Sequence, residues 1–195
     1  MRVGQVTRRT AETDIALSLN LDGTGRHEVA TGVAFLDHML AQLSRHGLLD
    51  LTVSASGDTQ VDFHHTVEDV GICLGRALRQ AIGDGSGIRR FGHAFAPMDE
   101  ALVLTAVDVS GRGGTEVDLQ LTTPKIGDFD TELVLEFMRA LAANAGLTLH
   151  VRQLTGANSH HIVEAAFKSL ALALRDAVAL DPRQPGVPST KGALV

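Results

Sequence analysis

Two segments of the chain share the spacing His-His-x-x-Glu: His64-His65-Thr66-Val67-Glu68 and His160-His161-Ile162-Val163-Glu164. On an α-helix, residues three and four apart share a face. Each segment therefore brings two imidazoles and a carboxylate to one helix start. That donor set, nitrogen and oxygen without thiolate, suits a divalent cation such as Zn, Mn, Fe or Ni. A single such segment would read as an ordinary surface helix start, where the helix dipole alone favours glutamate. Two matched copies ask for more, because packing demands neither both His-His pairs nor both glutamates. His38 adds a further donor, set among Phe35, Leu36 and Met39 on an apolar stripe, and its counterpart in the second copy is Glu136, between Leu135 and Phe137. His27, His46, His93 and His150 lack such partners and read as structural or surface residues.

Basic residues beside glycine-rich turns form a second signal. Arg89-Arg90 precede a strand, Arg112 sits in Ser110-Gly111-Arg112-Gly113-Gly114, and Lys191 sits in Ser189-Thr190-Lys191-Gly192. Arginine grips phosphate bidentately and lysine acts as a point charge, so these residues point to a small phosphorylated anion. Neither a Walker A motif nor a G-x-G-x-x-G fingerprint is present, which argues against a nucleotide fold. Glu12 and Asp99-Glu100, at predicted strands or strand ends, are candidates to orient histidines or to move protons.

The elements that must position these residues occur twice. Alternation predicts strands at Val3 to Thr10 and Thr13 to Leu21, and Asp22-Gly23-Thr24-Gly25 reads as a hairpin turn. Helical spacing predicts helices over Phe35 to His46, stopped by Gly47, and over His64 to Ile82, with a strand over Leu48 to Ser56 between them. The second copy predicts strands at Phe91 to Met98, Leu102 to Val109, Glu116 to Leu121 and Leu147 to Leu154. Its helices are expected over Thr131 to Asn144 and His160 to Ala179. Residues 64–82 lie over 160–178 without a gap and match at nine of nineteen positions. The expectation is an α+β fold of two pseudo-symmetric halves, 1–88 and 89–181, followed by an arm over 182–195.

Composition bounds the rest. The 195 residues are 44% hydrophobic and 21% charged, enough for a packed core. One cysteine, Cys73, excludes a disulfide framework and cysteine-based metal sites. A net charge of −6 argues against general nucleic-acid binding. No apolar run reaches the roughly 18 residues needed to span a bilayer, and MRVGQVTRRT has no apolar signal core. A cytoplasmic protein is expected, with no membrane or nucleic-acid partner.

The same residues resemble the imidazoleglycerol-phosphate dehydratase family over essentially the whole chain. The resemblance rests on Arg9-Thr10-Ala11-Glu12-Thr13, Leu21-Asp22-Gly23-Thr24-Gly25, Phe35-Leu36-Asp37-His38-Met39-Leu40 and His64-His65-Thr66-Val67-Glu68-Asp69. It continues through Gly87-Ile88-Arg89-Arg90-Phe91-Gly92, Met98-Asp99-Glu100-Ala101-Leu102, Asp108-Val109-Ser110-Gly111-Arg112, Ser159-His160-His161-Ile162-Val163-Glu164-Ala165 and Pro188-Ser189-Thr190-Lys191-Gly192.

The resemblance implies a duplicated ribosomal-S5-domain-2-like fold, a homo-oligomer of 24 subunits built from trimers, and two Mn²⁺ ions in each active site between subunits. One ion would take His38, His65, Glu68 and His161, and the other His64, His160, Glu164 and Glu136. Many relatives carry histidine where this chain has Glu136, an oxygen donor still able to hold Mn²⁺. The implied reaction removes water from imidazoleglycerol phosphate, a step of histidine biosynthesis, by way of a metal-bound imidazolate and a diazafulvene-like intermediate. Glu12, Glu68 and Glu164 would move protons. Arg90, Arg112, Ser189 and Lys191 would hold the phosphate, with Glu12, Gln42 and Asp99 near the substrate. On residue types alone, a dimetal phosphoester hydrolase and a non-catalytic metal-bridged assembly stay open beside this reading.

Overall fold

Alternating apolar residues decide the sheets. In the computed structural model, which describes residues 1–194, β1 (Val3–Arg9) and β2 (Thr13–Asn20) form an antiparallel hairpin with Val6, Ile15, Leu17 and Leu19 buried. The chain continues through β3 (His27–Ala30), α1 (Ala34–Gly47), β4 (Asp50–Gly57) and α2 (His64–Ile82). The first sheet has the order β1-β2-β4-β3, and only β3 and β4 run parallel.

The second copy repeats this plan with β5 (Phe91–Met98), β6 (Ala101–Asp108), β7 (Gly114–Asp118), α3 (Leu133–Ala145), β10 (Thr148–Thr155) and α4 (Ser159–Ala177). Its sheet order is β5-β6-β10-β7, with β7 and β10 parallel. A short ribbon, β8 (Lys125–Ile126) and β9 (Phe129–Asp130), precedes α3. Among the described residues the fold is α+β, with two four-stranded sheets, the β8–β9 ribbon and four helices.

The helices cross between copies. α2 covers β1 and β2 but packs against α3, while α4 covers β5 and β6 but packs against α1. The result is a sheet, two facing helix pairs and a second sheet, around one continuous apolar core. Phe137 of α3 and Phe167 of α4 meet there with ring centroids 5.3 Å apart. Matching glycines let each long helix lie close on its sheet: a Cβ at Gly4 would run into the carbonyl oxygen of Ala77, and one at Gly92 into that of Ala173.

Most predicted elements form, and the differences have physical causes. Asp22 to Gly25 does not turn β2 back on itself, because β3 crosses over to pair with β4. The Asp50 carboxylate at the start of β4 accepts the N–H groups of Thr24 (2.8 Å) and Arg26 (3.0 Å) and ties the loop there. Those N–H groups hold its pKa down at about 2. α1 runs through Gly47, and it is Leu48 rather than the glycine that takes the left-handed cap conformation, at φ 54°. The strand expected over Glu116 to Leu121 runs from Gly114 to Asp118, and the β8–β9 ribbon was not anticipated. The arm is tied at its start: Asp181 donates to the Gly87 carbonyl (2.9 Å) and Gly87 to that of Gly186 (2.8 Å). The arm's last residue, Val195, lies outside the described residues.

Gly4→Val should overpack the β1–α2 contact and destabilise the protein by about 1–3 kcal/mol. Thermal denaturation checks this; an unchanged Tm would show that the close approach is not required.

Candidate active site

The crossed helices bring the first copy's His38 onto the second copy's motif. His38 Nε2 lies 3.3 Å from Glu164 Oε2, and His160 Nε2 lies 3.3 Å from the same oxygen. Asn158 caps α4 by accepting from the backbone N–H groups of His160 and His161, which fixes the motif at the helix start. One nitrogen from each histidine and one Glu164 oxygen lie within 4.8 Å of one another, the only such donor group among the described residues. Glu164 is 6% exposed. Burial opposes its ionisation, but Lys168 Nζ at 2.7 Å from Oε1 and the His38 contact outweigh it, so its pKa falls below the usual carboxylate range. Gln42 donates to Oε1 at 3.4 Å and pairs with His46 at 2.9 Å. A cavity of about 530 Å³ opens beside His38 and His160, framed by Phe35, Phe63 and the loop around Phe129.

The second histidine of each motif is held in the same way in both copies. His65 Nδ1 lies 3.0 Å from Asp58 Oδ2, and His161 Nδ1 lies 2.8 Å from Glu100 Oε2. A carboxylate on Nδ1 fixes the tautomer and leaves Nε2 available to a metal, the usual support for a ligating histidine. A second carboxylate faces Nε2 in each copy: Glu12 at 3.8 Å from His65 and Asp99 at 3.7 Å from His161. The pKa of His65 is raised, chiefly by the hydrogen bond to Asp58, and that of His161 chiefly by the one to Glu100. Glu100 also accepts from the Asn158 and Ala157 N–H groups, and with His161 they bring its pKa down to about 2.

Within one chain α1 packs on α4, and His38 groups with His160 and Glu164; the sets implied by the resemblance, His38, His65, Glu68 and His161 for one ion and His64, His160, Glu164 and Glu136 for the other, are expected between subunits. Glu136 turns to Arg139, 2.9 Å away, and His64, Glu68 and Glu136 form no donor group among the described residues. His64 stays close to His65, with ring centroids 6.1 Å apart, and follows Phe63, which lines the cavity.

The phosphate candidates sit elsewhere. Arg90 grips Asp108 through Nε and Nη2 (2.7 and 3.2 Å) and reaches the Pro188 carbonyl through Nη1 (3.0 Å), so it borders the segment bearing Ser189 and Lys191. Ser110 holds the Arg112 turn by accepting its N–H at 3.3 Å.

A family model described as imidazoleglycerol-phosphate dehydratase matches residues 31–174. The chain belongs to the imidazoleglycerol-phosphate dehydratase family. The dehydratase of Desulforamulus reducens is 60% identical over 193 residues, covering 99% of this chain and 98% of that relative, and the one from Dinoroseobacter shibae is 60% identical over the full length of both. Crystal structures of the dehydratases from Staphylococcus aureus and Pyrococcus furiosus, the latter in complex with (S)-C348, superpose with TM-scores of 0.84 at 38% and 40% identity. They cover 92% and 97% of this chain, and 99% and 100% of their own. The family's enzymes are hydro-lyases.

Two residues that meet the candidate donors, Asp58 and Lys168, were not picked out by the sequence. Lys168 lies four residues after Glu164, a spacing that signals a helical ion pair. Asp58 carried no such signal, since its meeting with His65 depends on the turn after β4. The His38, His160 and Glu164 group, with one buried anionic oxygen between two imidazoles, fits a divalent cation.

Because the raised pKa values of His65 and His161 keep their rings protonated to higher pH, and ligation requires neutral imidazole, Mn²⁺ binding should tighten as pH rises from about 6 to 8 and should release protons. Calorimetry of the chelated protein in buffers of different ionisation enthalpy checks this; binding that is independent of pH would remove both histidines from the ligand set.

Proposed function

We propose that the chain eliminates water from imidazoleglycerol phosphate to give imidazole-acetol phosphate, serving histidine biosynthesis. The observation that carries this reading is the buried Glu164 between His38 and His160 beside an open cavity, in a chain of this family. In this reading His38, His160 and Glu164 hold one divalent cation, and His64, His65, Glu68, His161 and Glu136 supply the ligands of a second, with Mn²⁺ in both positions. When bound, the cations supply Lewis acidity that lowers the pKa of the substrate's ring N–H.

The protein's own groups do the rest. The ring N–H proton passes, by way of Glu68 or Glu164, to the neighbouring hydroxyl, which leaves as water, and the diazafulvene-like substrate so formed has an acidic next C–H. The Glu12 carboxylate, facing His65 Nε2, takes that proton. Return of a proton to the ring nitrogen gives the enol, which rearranges to the ketone. Gln42 and Asp99 line the substrate, and Arg90, Arg112, Ser189 and Lys191 hold its phosphate.

One chain does not bring these two ends together. Arg90 donates its backbone N–H to Ala177, at the end of α4, whereas His160 stands at that helix's start. The helix separates them by roughly 25 Å at 1.5 Å per residue, while the substrate spans on the order of 10 Å by ordinary bond lengths. This supports a site completed between chains; the assembly we propose for it is a homo-oligomer of 24 subunits built from trimers.

Two experiments test the reading. EDTA should abolish dehydration and added Mn²⁺ should restore it; full activity of metal-free protein would sink the dimetal site. Lys191→Ala should raise the substrate KM by roughly tenfold or more with Tm unchanged, and a normal KM would remove Lys191 from the phosphate site.

A further inference from the structure

Beneath the β1–β2 turn lies a polar network that the proposed function does not use. Asp69, 5% exposed, accepts Arg8 Nε at 2.9 Å on Oδ1 and Thr13 Oγ1 at 2.5 Å on Oδ2. Thr13 Oγ1 lies 3.2 Å from Thr10 Oγ1, which in turn accepts the backbone N–H groups of Glu12 (3.1 Å) and Thr13 (2.9 Å). From the other side, Asp58 donates its N–H to the Glu12 carbonyl at 3.1 Å while its carboxylate holds His65. The Glu12 side chain accepts no hydrogen bond among the described residues, and it faces His65 Nε2.

The second copy serves as an internal control. Arg8 pairs across the hairpin with Ile15 as Ala96 does with Val103, so Arg8 corresponds to Ala96 and Thr13 to Ala101. The ungapped match of the long helices makes Asp69 correspond to Ala165. All three positions of the network are alanine in the second copy, and all three alanines are buried. The fold therefore does not need the network, and burying an ion pair where small apolar residues suffice is often no gain in stability. The second turn is held differently: Glu100 itself accepts from the Ala157 and Asn158 N–H groups and meets His161, so its own carboxylate is committed. In the first copy the turn is anchored from beneath, and the Glu12 carboxylate stays uncommitted.

We infer that Asp69, Arg8 and Thr13 are positioning residues that hold the Thr10–Glu12 turn so that the Glu12 carboxylate stands over His65 free to take a proton. This inference rests on the proposed role of Glu12. Misplacing a reacting group by about 1 Å can cost up to 10²-fold in rate, which sets the expected scale.

The test uses the full-length, Mn²⁺-loaded protein and dehydration of imidazoleglycerol phosphate. Thr13→Val should lower kcat by about tenfold or more and change KM by less than about threefold, in a folded protein whose Tm falls modestly as Asp69 loses a hydrogen bond. Thr13→Ser, which keeps the hydroxyl, should restore turnover. The triple variant Arg8→Ala, Thr13→Ala, Asp69→Ala copies the packing of the second copy; it should fold and show the same kcat loss. Hydrogen exchange should accelerate in the peptide spanning 10–14 of Thr13→Val and stay unchanged along α2. Wild-type kcat in Thr13→Val, a loss confined to KM, Thr13→Ser as poor as Thr13→Val, or unchanged exchange in that peptide would each overturn the inference. Glu12→Gln separates the two levels: if it turns over normally, the role of Glu12 falls and the network's role with it. If it is inactive while Thr13→Val is normal, only the network's role falls.

Discussion

A carboxylate buried at a helix start must be compensated, and the compensation of Glu164 organises the second copy's site. An unpaired charge at that depth would shift its pKa and neutralise. Lys168 from the next turn, His38 and Gln42 from α1, and His160 from its own turn supply what water would have supplied. Those partners come from two helices that belong to different copies of the repeat. The crossed packing of α1 on α4 is thus a requirement of the site as well as of the core. It also explains why the donor group mixes one residue of the first copy with two of the second.

The histidine pairs show what duplication preserved. In each copy a carboxylate sits on Nδ1 of the second histidine and another faces Nε2, although the residues differ: Asp58 and Glu12 in one, Glu100 and Asp99 in the other. The conserved quantity is the orientation of an imidazole and the availability of its outer nitrogen. The supporting carboxylate comes from the loop before α2 in the first copy and from the β5–β6 turn in the second.

Much of this was legible from residue spacing, and the rest depended on packing. The helix over His64 to Ile82 forms with the bounds its periodicity predicts, and the repeat is visible letter by letter because one helix face must satisfy the same sheet twice. His38 and Glu136 were identified as matching positions, and the family resemblance put His38 in a ligand set with His65, Glu68 and His161, but spacing alone does not show which groups it meets within one chain. Its partner Glu164 is 126 residues away, on a helix of the other half. The same holds for Asp69, 61 residues from Arg8 and 56 from Thr13: no periodicity links them, and only the docking of α2 on the first hairpin brings them together. Turn chemistry misled at Asp22 to Gly25, where a hairpin signal is overridden by the carboxylate of Asp50 capturing the loop.

The two copies differ most in where each buries charge. The first buries Asp69 against Arg8 where the second has alanines, and the second buries Glu164 against Lys168 where the first has Glu68 and Ile72. Glu68 is more exposed than Glu164 and lacks a lysine one turn later. A buried ion pair rigidifies its neighbours through geometry that a solvated charge does not impose. The second copy thus buries and pairs the carboxylate of its own motif, whereas the first buries a pair beneath the hairpin turn and leaves Glu68 half-buried. Two motifs identical in spacing are therefore inequivalent in environment: one holds a buried, ion-paired carboxylate, and the other a half-buried one below Glu12.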